Sequence, residues 1–318
     1  MGYFVDKALS YIDAKDGNYL AIYSGGNLRY LINNEKGNAF FAKQKLSNNI
    51  ATYSSKLSLL MKLLKWIPTR LLVMGGIGKR VSLKIDSEIK NAVEKISEEK
   101  YNGKTIYFNV IIGSYVEKQK IVLQCFCPEA RETTVYLKIG DEHTETEISA
   151  ETAYLKKPIV TDAFRSPELC YSSVRRKGNK YNIQGTNEFV GETVPPVINA
   201  DIVAIYRAIC QSHIEMMDDE GNRLFFSHGD FAPWNIKKNN EEYIVFDWEY
   251  CGFRFYGFDL IHFAWQIENK LNKKDVHRAF KSAIAECKKW DEKLCDYDDS
   301  ELEKMYLEEL HKQFGDIL

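Results

Sequence analysis

Residues 225–263 read FFSHGDFAPWNIKKNNEEYIVFDWEYCGFRFYGFDLIHF, and this stretch decides how the rest of the chain is interpreted. In it, His228-Gly229-Asp230 is followed by Asn235, and Asp247 ends the apolar run 243–246. Asn239-Asn240 lies between two apolar segments, which is typical of a turn between strands. The pattern therefore predicts a loop, then a hairpin, then an acidic residue at the end of the second strand.

The predicted hairpin folds its two ends together, so Asp230 and Asn235 are expected to face Asp247. Two carboxylates and an amide oxygen around one small volume are ligands that suit Mg2+. Asp and Asn are also common in loops, where Asx turns explain them without any chemistry. Several such residues at fixed spacing favour a functional site over that structural alternative.

These residues resemble the catalytic core of the kinase-like phosphotransferases, in particular the aminoglycoside phosphotransferase and choline/ethanolamine kinase group. The motifs of that group are HGDxxxxN and, downstream, IDWE or IDFE followed by a Gly and an Asp-Leu pair. Here they read His228-Gly229-Asp230 to Asn235, then 246–249 as FDWE, then Gly257 and Asp259-Leu260. The resemblance covers about residues 105–268.

The resemblance implies an α+β, bilobal protein-kinase-like fold, with a small antiparallel-sheet N-lobe and a mainly helical C-lobe. It implies an N-lobe over 105–186 that binds nucleotide and a C-lobe over 187–318 that carries the catalytic loop, metal site and acceptor site. Residues 1–104 are then an extra N-terminal α+β segment of unknown role.

Roles follow from the same resemblance and from the general kinase template. Asp230 is the expected catalytic base, and Asn235 and Asp247 are the expected ligands of Mg2+. His228 and Asp259 are expected to support the catalytic loop without taking part in the chemistry. The co-substrate is expected to be ATP or GTP.

Three runs, 105–112, 120–126 and 133–139, alternate as strands and predict an antiparallel meander. Gly113-Ser114 lies between the first two, where kinases cover the nucleotide phosphates, although a plain hairpin turn is equally compatible. By resemblance, Lys138 at the end of the third strand is the phosphate-binding lysine, paired with Glu151 or with its rival Glu147. The alternative is that Lys138 is an exposed strand-end residue.

The first hundred residues predict a hairpin from 19–23 and 28–32 and a helix over 87–98 that Asp86 caps. A further helix is predicted over 47–66; it is mostly apolar with a narrow cationic stripe. Burial is the simpler interpretation of that helix, and peripheral membrane contact through 57–66 is the alternative. Gly75-Gly76-Ile77-Gly78 fits neither nucleotide fingerprint and is interpreted as a connector.

The C-terminal part predicts a helix that Asn199 or Asp201 caps and that runs to about Met217, followed by helices over 259–268, 274–290 and 300–314. Residues 181–185 are interpreted as an edge strand that leads into the hinge, where the base of the nucleotide would meet backbone groups near 184–186.

Composition limits the class of protein. The net charge of -2 gives no basic excess of the kind that nucleic-acid binding requires, so no nucleic acid is expected as a partner. The seven cysteines are scattered without the spacing of a zinc site and are interpreted as reduced thiols. The sequence predicts no transmembrane helix. No protein partner is predicted. The expected location is the cytoplasm, where ATP is.

The acceptor is expected to be a small polar hydroxyl compound, either a sugar-containing molecule or an amino alcohol. Glu249 with Trp248 and Trp234 is the candidate acceptor site, although aromatic residues at these positions are equally compatible with packing of the core. Two other functions stay open at this point: a catalytically silent nucleotide-binding scaffold, and a membrane-peripheral kinase of a glycolipid or surface glycan.

Overall fold

The computed structural model describes residues 4–24, 26–33, 79–113, 118–129, 135–173, 179–187, 191–219 and 221–315. The chain divides into two compact units: residues 1–152 with 168–188, and residues 153–167 with 189–318.

The first unit is built on strands with helices beside them. Its described helices are α1 (Phe4–Ala8), α2 (Ser87–Tyr101) and α3 (Glu145–Lys156), and α3 continues into the second unit. Its described strands are β1 (Leu9–Asp13), β2 (Tyr19–Ser24), β3 (Asn27–Asn33), β4 (Lys79–Ile85), β5 (Tyr107–Ile112), β6 (Ile121–Phe126), β7 (Val135–Gly140), β8 (Leu169–Ser173) and β9 (Asn182–Asn187).

Among the described residues these strands form one nine-stranded sheet in the order β1-β4-β2-β3-β5-β6-β7-β9-β8. Every pairing in it is antiparallel. The described strands of residues 1–104 therefore continue the same sheet as the predicted meander β5-β6-β7. The proposed division at 104/105 remains a proposal about organisation.

Helix α2 contributes one apolar face to the core of this unit. Ile89, Ala92, Val93 and Ile96 recur at helical spacing and are buried in the same cluster as the sheet residues. Asp86 caps the helix by accepting a hydrogen bond from the Glu88 N–H at 2.9 Å, which satisfies one donor of the first turn. The predicted cap and helix are confirmed.

The second unit is mainly helical. Its described helices are α4 (Ala200–Gln211), α5 (Phe258–Gln266), α6 (Val276–Trp290) and α7 (Asp299–Phe314). A π-helical turn over Ile267–Leu271 follows α5. Its described strands are β10 (Glu192–Thr193), β11 (Met216–Met217), β12 (Arg223–Ser227), β13 (Ile236–Asn239), β14 (Glu242–Val245) and β15 (Gly252–Arg254).

Two small sheets hold the central stretch of this unit, in the orders β10-β13-β14 and β11-β12-β15. Strands β13 and β14 form the hairpin predicted from the sequence. Asn240 in its turn has φ 54°, a left-handed conformation that Asn tolerates better than most residues. Each end of the hairpin is thereby fixed beside the other, with Ile236 opposite Val245.

The predicted α+β class, with an antiparallel sheet in one unit and helices dominating the other, is confirmed. The hairpin of β2 and β3, the meander β5-β6-β7 and helices α5, α6 and α7 lie where the sequence placed them. Among the described helices, none combines the length and the apolar character that crossing a bilayer requires.

Two predictions about these elements are wrong. The helix predicted over 201–217 ends at Gln211, because the Ser212 side chain donates a hydrogen bond to the Ile209 carbonyl at 2.6 Å and the chain then turns into β11. The strand at 181–185 is not an edge strand, because β9 lies between β7 and β8. Gly185 permits this close packing, since a Cβ there would lie 2.8 Å from the Cβ of Tyr171 on β8.

Several predictions concern residues outside the described ranges: the helix at 47–66 with its membrane segment 57–66, the connector 75–78, and Ser114.

Candidate active site

The His228-Gly229-Asp230 loop begins directly after β12 and depends on a glycine. Gly229 has φ 86°, and a Cβ at this position would lie 2.1 Å from the carbonyl oxygen of Tyr250. Both the backbone conformation and the close approach exclude a side chain. The backbone can therefore turn sharply after β12, whose last two residues are buried, and present Asp230.

Asp259, the second residue of α5, organises the backbone of this loop. Its Oδ1 accepts hydrogen bonds from the Ser227 hydroxyl at 2.7 Å and the Gly229 N–H at 3.0 Å, and its Oδ2 accepts from the His228 N–H at 2.7 Å. The side chain is buried, and a carboxylate near a helix N-terminus is favoured by the helix dipole. These are the contacts that a supporting role would require.

His228 connects the loop to the segment that carries Asp247. Its Nε2 lies 3.0 Å from the carbonyl oxygen of Phe246, and its Nδ1 accepts a hydrogen bond from the Asp230 N–H at 3.2 Å. Only the tautomer with its proton on Nε2 satisfies both partners, so this assignment follows from the hydrogen bonds. Burial lowers the pKa of His228, which favours the neutral form that these contacts need.

Asn235 ends a short 3-10 helix (Pro233–Asn235) and reaches back to the loop. Its Nδ2 donates to the Asp230 carbonyl at 2.8 Å and to the Asp230 Oδ2 at 3.0 Å. Its own carbonyl accepts the Phe246 N–H at 3.1 Å, one residue before Asp247. With the amide nitrogen committed to Asp230, the amide oxygen is the atom that Asn235 has for a cation.

Asp247 adopts φ 70°, a left-handed conformation that is uncommon for an aspartate in an ordered structure. Such a conformation costs on the order of 1–3 kcal/mol and is found most often at functional sites. A carboxylate oxygen of Glu249 lies within 4.8 Å of one of Asp247. Asp247 therefore occupies a strained position with a second carboxylate close by.

His262 is a site residue that the sequence interpretation missed. It lies on α5 and is fully buried, and its Nε2 lies 3.0 Å from the Asp230 Oδ1. Asp230 is thus held on both oxygens, by Asn235 and by His262, while 19% of its side chain remains exposed. The spacing from Asp259 to His262 places both on one helix face, and this was the available signal.

In the first unit, the predicted partner of Lys138 is the one that the structure shows. The Lys138 Nζ on β7 lies 2.5 Å from the Glu151 Oε2 on α3, and both side chains are largely buried. Glu147, the rival candidate, instead forms an ion pair with Lys118 at 2.5 Å. The alternative of an exposed strand-end lysine is not what is observed.

Gly113 directly follows β5 in a tight backbone arrangement. Its N–H donates to the Lys120 carbonyl at 2.9 Å, and a Cβ would lie 2.8 Å from that same oxygen. Its carbonyl accepts a hydrogen bond from the Arg29 guanidinium at 3.0 Å. Contact of Gly113 and Ser114 with phosphate stays a prediction.

One predicted acceptor residue requires correction. Trp248 is fully buried, its indole N–H donates to the Val245 carbonyl at 2.9 Å, and its ring stacks on Tyr154 at 4.0 Å. With no exposed surface it packs the core of its unit and does not contact an acceptor. Trp234 and Glu249 are partly exposed and remain candidates.

The oxygens of this site fit a hard divalent cation. The Asn235 amide oxygen and the Asp247 carboxylate are ligands of the kind that Mg2+ prefers, and Glu249 adds negative charge nearby. No sulfur or imidazole ligand that would favour a softer metal belongs to this set.

A scan against protein-family models finds no match to the chain, and neither does a search of curated proteins. A search of solved structures does return matches. One is a thermostable mutant of aminoglycoside phosphotransferase APH(4)-Ia in ternary complex with ADP and hygromycin B. Its TM-score is 0.45 at 12% identity, covering 70% of this chain and 89% of that one.

Two further solved structures are similar. The GDP complex of wild-type aminoglycoside 2'-phosphotransferase-IIIa has a TM-score of 0.40 at 8% identity, covering 72% of this chain and 100% of that one. Amicoumacin kinase hAmiN in complex with AMP-PNP, Ca2+ and Ami has a TM-score of 0.35 at 11% identity, covering 64% of this chain and 80% of that one.

Proposed function

We propose that the protein is a Mg2+-dependent phosphotransferase, which moves the terminal phosphate of ATP or GTP to a hydroxyl of a small polar acceptor. The observation that carries this proposal is the Asp230 carboxylate, fixed by the Asn235 amide at 3.0 Å and by His262 at 3.0 Å, yet still partly exposed. A carboxylate held in one orientation beside a set of hard oxygen ligands is suited to phosphoryl transfer, which depends mainly on positioning and charge stabilisation.

Asp230 is the proposed base. Its carboxylate accepts a hydrogen bond from the acceptor hydroxyl and aims that oxygen at the terminal phosphorus. As the new O–P bond forms, the bond from that phosphorus to the bridging oxygen breaks, and the nucleoside diphosphate leaves. The hydroxyl proton passes to Asp230, so that charge does not accumulate on the acceptor.

Asn235 and Asp247 are the proposed ligands of Mg2+. When bound, the cation supplies positive charge to the phosphate oxygens. The contribution of the chain is to hold the ligands ready: the Asn235 nitrogen is committed to Asp230, and Asp247 is held at φ 70° directly after Phe246. Replacing Asp247 with Ala should abolish turnover while leaving the fold intact.

Lys138 is the proposed ligand of the nucleotide phosphates, oriented by Glu151 at 2.5 Å. Gly113 and Ser114 are proposed to contact the phosphates, whereas the backbone at 184–186 is paired with β7 and β8 on its two sides and is not proposed as a ligand of the base.

The acceptor is proposed to be sugar-containing or an amino alcohol, with Glu249 and Trp234 in contact with it. A carboxylate accepts hydrogen bonds from hydroxyl groups or pairs with an ammonium, and an indole face packs on a sugar ring or a cation. We also propose that the protein acts in the cytoplasm, where its nucleotide is available.

The direct test is nucleotide consumption with Mg-ATP and with Mg-GTP against a panel of aminoglycosides, amino alcohols, nucleosides and simple sugars. Wild type should turn over one class of acceptor, and Asp230→Asn should lose that turnover while still binding nucleotide. Turnover that survives unchanged in Asp230→Asn would remove Asp230 as the base. Nucleotide binding with no turnover on any acceptor would favour the silent scaffold instead.

A further inference from the structure

A chain of buried polar side chains leads from the C-terminal helix to the proposed base. The Tyr306 hydroxyl on α7 lies 2.9 Å from the His262 Nδ1 on α5, and the His262 Nε2 lies 3.0 Å from the Asp230 Oδ1. Tyr306 and His262 are both fully buried. We propose that His262 is a positioning residue that orients Asp230 for transfer and is itself oriented by Tyr306, an inference that rests on the proposed function.

The direction of each hydrogen bond follows from the partners. An ionised Asp230 can only accept, so a neutral His262 donates through Nε2–H and leaves Nδ1 bare. The Tyr306 hydroxyl then donates to Nδ1. Burial raises the pKa of Tyr306 well above its usual value, so this hydroxyl keeps its proton and remains a donor.

One further polar neighbour of His262 is compatible with this tautomer when its side-chain amide is turned. The Gln266 amide, one turn further along α5, lies 2.9 Å from the His262 Nε2, and its buried Oε1 has no hydrogen-bond partner as placed. Nitrogen and oxygen of an amide are assigned from their partners. Turning the Gln266 amide brings its oxygen to the Nε2–H, which then donates to both Gln266 and Asp230.

Aromatic rings hold the imidazole in its plane. The Phe258 ring is stacked on His262 with centroids 5.6 Å apart and an interplanar angle of 13°, and the Trp265 ring is also stacked, at 6.2 Å. His262 cannot rotate without displacing these rings. The orientation of its Nε2–H is therefore set by the core of the unit and is passed on to Asp230.

The two contacts on Asp230 act on different oxygens. Asn235 binds Oδ2 and His262 binds Oδ1, so the plane of the carboxylate is fixed from both sides. Losing one contact would let the carboxylate rotate away from the acceptor hydroxyl. A misplacement of about 1 Å at a reacting group can cost on the order of 100-fold in rate.

Helix α7 also contacts the loop directly, independently of Tyr306. The Gln313 Nε2 donates to the Gly229 carbonyl at 3.0 Å, and the Gln313 Oε1 accepts from the Arg254 guanidinium at 3.1 Å. Gly229 is the residue immediately before the base. Helix α7 thus supports the Asp230 side chain, through Tyr306 and His262, and the backbone of the loop, through Gln313.

The test compares variants by kcat, KM and unfolding. Tyr306→Phe removes only the hydroxyl and should lower kcat about tenfold with the nucleotide KM unchanged, and His262→Leu should lower kcat about 100-fold. His262→Gln, which places an amide N–H near the position of Nε2, should restore most of that loss. Equal kcat in wild type and His262→Leu would overturn the proposal.

Tyr256→Phe is the matched control. The Tyr256 hydroxyl donates to the buried Asp291 at 2.7 Å in the same unit, away from the Asp230 network. Removing it should lower the unfolding midpoint by an amount similar to that of Tyr306→Phe while leaving kcat unchanged. An equal fall of kcat in both variants would show general destabilisation and overturn the positioning role.

A second readout does not require an acceptor. The 15N shifts of the His262 imidazole in wild type should report a proton on Nε2 and a bare Nδ1, and Tyr306→Phe should perturb the Nδ1 signal. A proton on Nδ1 in wild type would overturn the proposed orientation of His262 by Tyr306, even if turnover were robust. Conversely, the expected 15N shifts with no turnover on any acceptor would support the orientation of His262 by Tyr306 and count against the proposed function.

Discussion

Replacing Asp259 with Asn tests how much the catalytic loop depends on one buried carboxylate. In wild type Asp259 accepts from the Ser227 hydroxyl, the His228 N–H and the Gly229 N–H at 2.7, 2.7 and 3.0 Å. An Asn keeps one acceptor oxygen, but its NH2 group must then face either the His228 N–H or the pair of donors on the other side. At least one buried donor therefore meets another donor.

The loss in free energy of unfolding caused by Asp259→Asn can be estimated from these hydrogen bonds. Two hydrogen bonds lose their charge-assisted strength, at about 1 kcal/mol each, and one buried N–H loses its acceptor, at about 1–3 kcal/mol. The sum is about 3–5 kcal/mol, which is a large part of the roughly 5–15 kcal/mol by which proteins are stable. We expect a folded protein with a displaced loop, a much lower denaturation midpoint and little turnover.

The assay is denaturant unfolding followed by tryptophan fluorescence, with turnover measured on the same samples. Asp275→Asn is the matched control, since Asp275 caps α6 by accepting from the Arg278 N–H at 3.0 Å, and Asn caps helices about as well as Asp. The control should leave the midpoint unchanged. A midpoint for Asp259→Asn equal to that of the control would refute the supporting role of Asp259.

Three other predictions concern separate parts of the molecule. Lys138→Met should raise the KM for nucleotide or abolish nucleotide binding. Glu151→Gln should act in the same direction but more weakly, because Glu151 lies 2.5 Å from Lys138 and orients it. Calorimetric titration with a nucleotide analogue checks this, and unchanged affinity in both variants would contradict it. Gly229→Ala should fold poorly or lose turnover, since its Cβ would lie 2.1 Å from the Tyr250 carbonyl oxygen and φ is 86°; near-normal soluble yield with wild-type turnover would count against the tight loop. The contribution of His228 to the free energy of unfolding should be fully present above pH about 6.5, the usual pKa of an imidazole, and should fall as the pH drops towards the lowered pKa of His228, because the unfolded chain takes up the proton first. The free energy of unfolding, measured across this range, should therefore depend less steeply on pH in His228→Gln than in wild type. An equal slope in both proteins would argue against this.

The motif residues were predictable because their spacing is local. Asp230 and Asn235 are five residues apart on one loop, and the Asn239-Asn240 turn returns the chain so that Phe246 pairs with Asn235. Lys138 and Glu151 were predictable for a related reason, since a strand end and the next helix fix their approach. In each case a short connection determines which side chains meet.

The residues that were missed depend on contacts distant in sequence. Tyr306 meets His262 across 44 positions, and the pattern of apolar residues in α7 does not state which helix it packs on. Strand β8 was missed because its pairing with β9 relies on Gly185, whose lack of a side chain admits Tyr171. Trp248 was assigned to an acceptor site because an aromatic residue beside a metal ligand fits a ligand pocket and a core equally well from sequence.

The end of α4 was misplaced for a simpler reason. Ser212 has no strong signal for stopping a helix, and His213 continued the helical spacing of Ile202, Ile205, Tyr206 and Ile209. In the structure Met216 and Met217 belong to β11, whose partner is β12, and both side chains are exposed. Strand pairing decided the conformation of this segment over its periodicity.

The central claim is that Asp230 is the base and Asp247 is a ligand of the metal. Binding of Mn2+ together with a non-hydrolysable ATP analogue tests this assignment most directly. Mn2+ substitutes for Mg2+ at oxygen sites and is visible by electron paramagnetic resonance, so no acceptor needs to be known. The account predicts that Asp247→Asn weakens nucleotide-dependent Mn2+ binding at least tenfold, whereas Asp230→Asn keeps it near the wild-type value. Mn2+ binding that is unchanged in Asp247→Asn, or lost in Asp230→Asn alone, would contradict the assignment of metal ligand and base.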